Sequence, residues 1–131
     1  MVSDEPNVHD EVGGGEFFVE LVDRFYARVA TDLLLRPLYP DDLTASKRHL
    51  ALFLQQYWGG PGTYSEERGH PRLRARHVPF VIGEAERDAW LRLMTRAVDE
   101  TIDNHGFPRA LADVFHEYFG RAATHMVNAE S

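Results

Sequence analysis

Between Tyr57 and Phe80 the chain reads YWGGPGTYSEERGHPRLRARHVPF, and no other stretch limits the choice of fold so tightly. Gly59, Gly60, Pro61 and Gly62 must end the helix that leads into it, because glycine costs helix backbone entropy and proline removes a helix donor. Arg68, Arg72, Arg74 and Arg76 then run toward His77, and Pro79 closes the segment. A solvated basic face is the ordinary use of such a run, and a lone histidine is ordinarily a core or surface residue. Core packing, however, has no use for so many cations beside one imidazole. A pocket for an anionic cofactor whose metal takes one histidine does.

Around this stretch the chain is periodic at helical spacing. Phe18, Leu21, Val22, Phe25, Tyr26 and Val29 predict an amphipathic helix over 16–30, after a glycine loop at Gly13-Gly14-Gly15 and a polar, flexible lead-in over 1–11. Pro37 and Pro40 make 31–43 a turn-rich corner. Thr44 is a candidate N-cap for a helix over 45–57 with Leu50, Phe53, Leu54 and Tyr57 on its apolar face. Trp90, Leu93, Met94, Ala97, Val98 and Ile102 predict a third helix over 84–102, and Leu111, Val114, Phe115, Tyr118, Phe119, Ala122 and Met126 a last one after Pro108. No strand alternation persists beyond three or four residues. The expected class is all-α: one domain over 12–131, with four main helices and one irregular segment.

Composition narrows the chemistry. A net charge of −7 argues against a nucleic-acid or anionic-membrane surface. The chain has no cysteine, which removes disulfides and thiolate ligation and fits a reducing compartment. Met1–Asp10 lacks the apolar core of a secretory signal, and no apolar run approaches the ~20 residues needed to span a bilayer. A cytoplasmic protein is the simplest expectation. No HExxH or paired-histidine spacing supports a zinc hydrolase, so His9, His49, His105, His116 and His125 are read as structural or exposed.

Haem is one anionic cofactor that fits this pattern: it needs an apolar slot, one neutral imidazole on iron, and cations near its propionates. His77 offers the imidazole, while Arg74, Arg76 and His70 offer charge-assisted bonds to carboxylates. Tyr26, Tyr39 and Trp90 would bring polar donors into an otherwise apolar pocket, and donors that converge favour a small ligand carrying partial negative charge.

The same residues carry a resemblance. Phe53-Leu-Gln-Gln-Tyr-Trp-Gly-Gly-Pro61, Thr63-Tyr64-Ser65-Glu66, Arg68-Gly69-His70-Pro71-Arg72-Leu73-Arg74, Arg76-His77 and Pro79-Phe80 resemble the truncated haemoglobins of group II. Val12-Gly13-Gly14, Arg24-Phe25-Tyr26, Leu38-Tyr39-Pro40, Glu86-Arg87-Asp88-Ala89-Trp90-Leu91 and Met126-Val127-Asn128 extend the match over 12–128. The resemblance implies a two-over-two helical sandwich holding haem b, with an irregular proximal loop. It makes His77 the iron ligand and Tyr26, Tyr39 and Trp90 the distal hydrogen-bonding set, with Ser46 at or next to the position where most globins place a distal histidine. Leu50, Phe53, Leu54, Tyr64, Phe80 and Met94 would touch the porphyrin, and His70, Arg74 and Arg76 its propionates.

The function implied is binding of dioxygen, with carbon monoxide, nitric oxide and cyanide as further ligands, at a five-coordinate iron. An oxygen- or peroxide-using enzyme, such as a nitric oxide dioxygenase or peroxidase fed by an external reductase, is the alternative. A homodimer is a further expectation.

Overall fold

A computed structural model of the chain describes residues 7–77 and 80–128. Among them every regular element is helical: α1 (Val8–Glu11), α2 (Gly15–Val29), a 3-10 turn (Arg36–Leu38), α3 (Thr44–Tyr57), α4 (Thr63–Arg68), α5 (Leu73–His77), α6 (Glu84–His105) and α7 (Arg109–His125). Part of the sequence read as lead-in is therefore ordered. Asn7 caps α1 by accepting from the Asp10 amide at 2.9 Å, and the His9 amide donates to the Trp58 carbonyl at 2.9 Å.

Helix α2 packs on α3 and on α6, and α6 packs on α7 across the short Gly106–Pro108 connection. These pairs form a two-over-two helical sandwich. Its centre is aromatic: Phe17, Phe18, Phe25 and Phe115 are fully buried, with Phe17 and Phe115 stacked at 5.4 Å. Burying four such rings is the largest single stabilisation the fold has, because each removes about 150–250 Å² from water. At the far end of α6, Glu20 accepts from Arg24 at 3.0 Å, from Asn104 at 3.2 Å and from His105 at 2.9 Å. Burial pushes the Glu20 carboxyl up, but the hydrogen bonds from His105 and Arg24 outweigh it and hold it below the usual range.

Two sequence expectations shift in detail. Thr44 opens α3 as its first residue rather than capping it, and the Asp42 carboxylate takes the cap role by accepting from the Thr44 amide at 2.9 Å. Within the segment read as irregular, α4 and α5 are each one to two turns long.

The glycine pair at the head of that segment has a packing cause. Gly59 sits at φ +105°, and a Cβ on Gly60 would come within 2.5 Å of the His9 ring and 2.9 Å of the Gln55 carbonyl. No described helix is long and apolar enough to cross a membrane.

Candidate functional site

The helices leave a cleft of about 360 Å³ between α3, α6, α7 and the loop that carries α5. On α3, Ser46, His49, Leu50, Phe53 and Leu54 face it, a single stripe at i, i+3, i+4, i+7 and i+8. On α7, Tyr118, Phe119, Ala122, Ala123 and Met126 do the same. Its volume falls at the lower end of the ~300–1,000 Å³ of small-molecule and cofactor sites, and its walls are mainly aliphatic and aromatic.

His77 reaches the cleft from the last turn of α5. Its Nδ1 lies 2.6 Å from the Leu73 carbonyl. A carbonyl only accepts, so Nδ1 carries the proton, and a neutral ring then presents an unprotonated Nε2. That is the tautomer a metal requires, with the orienting bond that metal-bound histidines use. Among the described residues no group of three His, Asp or Glu side chains could hold a metal. A single histidine suits a metal that brings its remaining ligands in a macrocycle.

Two side chains bracket α5. Arg76, half-buried, donates from Nε to the Pro71 carbonyl at 2.8 Å and from Nη2 to the Arg68 carbonyl at 2.9 Å. Asn128 donates to the carbonyls of His77 at 3.2 Å and Phe80 at 2.9 Å. Arg72, at φ +46°, pays a local backbone strain between Pro71 and the start of α5.

The corner after α2 brings Tyr39 to the same cleft. Arg36 pins this corner by donating to the carbonyls of Tyr39 at 3.2 Å, Pro40 at 3.0 Å and Asp41 at 3.0 Å. Asp32 holds its start by accepting from the Leu34 and Leu35 amides at 3.0 and 2.9 Å. The Tyr39 ring stands edge-on to Tyr26 at 5.4 Å, and Trp90 stands against Phe25 at 5.3 Å and Phe119 at 5.7 Å.

The three polar groups form one network. Burial pushes the Tyr39 phenol up to about 12, while hydrogen bonds from Trp90 and Tyr26 act in the opposite direction. Burial, with the Tyr39 dipole beside it, pushes Tyr26 higher still. The indole N–H only donates and each phenol can donate, so all three side chains bring donors to the cleft they line.

The mouth of the cleft is cationic. Arg68 Nη1 lies 2.6 Å and 2.9 Å from the two ring nitrogens of His49, and its guanidinium sits 5.9 Å above the Tyr64 ring. Burial, then the Arg68 and Arg48 charges, hold His49 below the usual imidazole range, so it is neutral at pH 7. Arg48 is itself paired with Glu67.

Of the residues singled out in the sequence, Tyr26, Tyr39, Ser46, Leu50, Phe53, Leu54, Tyr64, Arg76, His77, Phe80 and Trp90 line the cleft. His70 does not: it is exposed, and its Nδ1 accepts from the Arg72 amide at 3.2 Å. Met94 is fully buried in the core behind Trp90 and does not reach the cleft. The Arg74 side chain lies outside the described residues, as do Val78 and Pro79. Sequence reasoning missed His49 and Arg68. Their spacing of nineteen residues carries no local signal, although His49 shares the i+3 stripe with Ser46.

The bacterial-like globin family model matches residues 7–128. The chain is a group II truncated haemoglobin. It is 46% identical over 126 residues to Group 2 truncated hemoglobin YjbI of Bacillus subtilis, covering 93% of this chain and 89% of that one. The solved haemoglobin of the thermophilic phototroph Chloroflexus aurantiacus superposes with a TM-score of 0.90 at 51% identity, over 95% of this chain and 100% of that one. The truncated oxygen-avid haemoglobin of Bacillus subtilis superposes with a TM-score of 0.85 at 42% identity, over 94% and 100%. Membership implies haem binding, and the donor set of this globin fits haem: an imidazole oriented through Nδ1 by the Leu73 carbonyl, an apolar slot and the cations Arg68 and Arg76.

Proposed function

We propose that this globin holds haem b through His77 Nε2 and binds dioxygen on the opposite face. The observation that carries the reading is one apolar cleft lined both by His77, whose Nδ1 lies 2.6 Å from the Leu73 carbonyl, and by the donors Tyr26, Tyr39 and Trp90. Haem, when bound, supplies the iron on which a diatomic ligand sits and lends that ligand partial negative charge.

The rest is done by the chain. Leu50, Phe53, Leu54 and Phe119 exclude water and flank the porphyrin plane, Arg68 and Arg76 meet its propionates, and His77 is held to one tautomer by Leu73. The Tyr39 hydroxyl donates to the ligand, with the Tyr26 hydroxyl and the Trp90 indole N–H as the further donors of the pocket. A hydrogen bond to a charged acceptor is worth ~1.5–3 kcal/mol, or roughly ten- to 150-fold in dissociation rate. The Bacillus subtilis relative described as oxygen-avid supports slow release here too. Slow release suits storage, sensing or oxygen chemistry better than delivery. Carbon monoxide, nitric oxide and cyanide would enter the same pocket.

The test is stopped-flow displacement of dioxygen from the ferrous protein. Wild type should release slowly and Tyr39→Phe about tenfold faster or more; equal rates would remove Tyr39 from the contact.

A second reading rests on the same proton. Tyr39 is protonated at neutral pH, so its hydroxyl would polarise a bound O–O unit by hydrogen bonding. Nitric oxide dioxygenation or peroxidase activity would use it, with electrons from an external reductase. Rapid reaction of the oxy protein with nitric oxide, or oxidation of a phenolic donor by peroxide faster than by free haem, would favour this reading over simple binding.

A further inference from the structure

We infer that Asn128 is a positioning residue for His77, acting across the sandwich from the segment after α7. This rests on the assignment of His77 as the iron ligand. Helix α5 is only five residues long, so its own ladder cannot fix the direction in which His77 points. That end needs further partners beyond the Phe80 amide, which donates to the His77 carbonyl at 3.0 Å.

Asn128 supplies them. Its two Nδ2 protons go to the His77 carbonyl at 3.2 Å and the Phe80 carbonyl at 2.9 Å. Its Oδ1 accepts from the Ile82 amide at 2.9 Å, and its own amide donates to the Ile82 carbonyl at 2.9 Å. One residue therefore bonds to His77, Phe80 and Ile82 together. Arg76 fixes the preceding side through Pro71 and Arg68.

The element that leads to Asn128 matters as well. Helix α7 presents Ala122, Ala123 and Met126 to the cleft, two to six residues before Asn128. Asn128 thus sets His77 in register with a wall against which the macrocycle would lie. The Leu73 bond fixes ring rotation, and Asn128 fixes the reach of the turn that carries the ring.

The experiment uses the full chain reconstituted with haemin, as wild type, Asn128→Ala and Asn128→Asp. Asp keeps an acceptor for the Ile82 amide but cannot donate to His77 or Phe80, so it separates positioning from general tethering. Three readouts are taken: the iron–histidine stretching band of the ferrous protein by resonance Raman, haem transfer to excess apomyoglobin, and the thermal midpoint without haem. The expected result is a shifted or broadened band and about three- to tenfold faster haem loss in both variants, with Asp resembling Ala.

A band and a loss rate unchanged in both variants would overturn the inference. So would a lowered thermal midpoint with an unmoved band, which would make Asn128 a tether only. A wild type that forms no iron–histidine band would overturn the His77 assignment and this inference with it. A normal wild-type band with unresponsive variants would overturn this inference alone.

Discussion

The Tyr39 ring stands edge-on to Tyr26 at 5.4 Å, and both line the cleft with Trp90. The position of Tyr39 depends on a corner pinned by Arg36 rather than on a long helix.

Arg36→Ala should consequently act as a distal mutation at a distance. With the Tyr39, Pro40 and Asp41 carbonyls released, the Tyr39 hydroxyl loses its fixed direction. Dioxygen release should quicken about five- to tenfold, and a rate equal to wild type would mean that the corner holds itself. Arg36→Lys should not rescue it, since a single ammonium cannot span three carbonyls.

Alkaline pH should expose the buried phenols. Tyr39 and Tyr118 are both pushed up to about 12 from an ordinary value of 10, Tyr118 by burial and then by Tyr57 beside it. The folded state thus holds these protons more tightly than the unfolded chain does. Their contribution is complete below pH 10 and is lost as the pH rises from 10 toward 12. Thermal midpoints should be flat near neutrality with respect to these groups and fall across that window. Tyr118→Phe should make the fall shallower, and an identical slope would remove Tyr118 from the linkage.

The core behind the site sets its rigidity. Phe25 is fully buried and touches both Tyr26, at 5.1 Å, and Trp90, at 5.3 Å. Phe25→Ala should cost about 3–5 kcal/mol in denaturant unfolding. It should also raise ligand release, because both donors lose the wall that orients them. A stability loss with unchanged ligand kinetics would uncouple the core from the distal network.

The glycines of the irregular segment make a sharper steric prediction. Gly60→Ala would push a methyl group against the Gln55 carbonyl, which is backbone and cannot swing aside. A destabilisation of about 1–3 kcal/mol is expected in urea titrations. A neutral substitution would show that the α1–α3 contact yields instead.

What could be read before the fold was seen follows from which signals are local. Helices α2, α3, α6 and α7 announce themselves because Phe18–Val29 and Trp90–Ile102 repeat at helical spacing. Leu50, Phe53 and Leu54 are legible for the same reason, whereas Ser46 rests on the family resemblance and His49 is not marked as a site residue. Met94 and Tyr118 were not separable: both sit on buried helix faces, and only the crossing of α6 with α7 decides that Tyr118 meets the cleft and Met94 the core. His70 sits in an arginine-rich run, yet its ring turns outward to cap the Arg72 amide. The bonds of Arg76 to Pro71 and Arg68, and of Asn128 to His77, end on backbone carbonyls, which carry no sequence mark.

The central claim is that His77 Nε2 is the protein's single ligand to a haem iron. Absorption spectra of the haemin-reconstituted protein, ferric, reduced, and reduced with carbon monoxide, test it most directly when wild type and His77→Gly are run side by side. The account predicts a histidine-type carbon monoxide Soret band in wild type, its loss in His77→Gly, and its return when free imidazole is added. A His77→Gly protein that keeps the wild-type band without imidazole would contradict it.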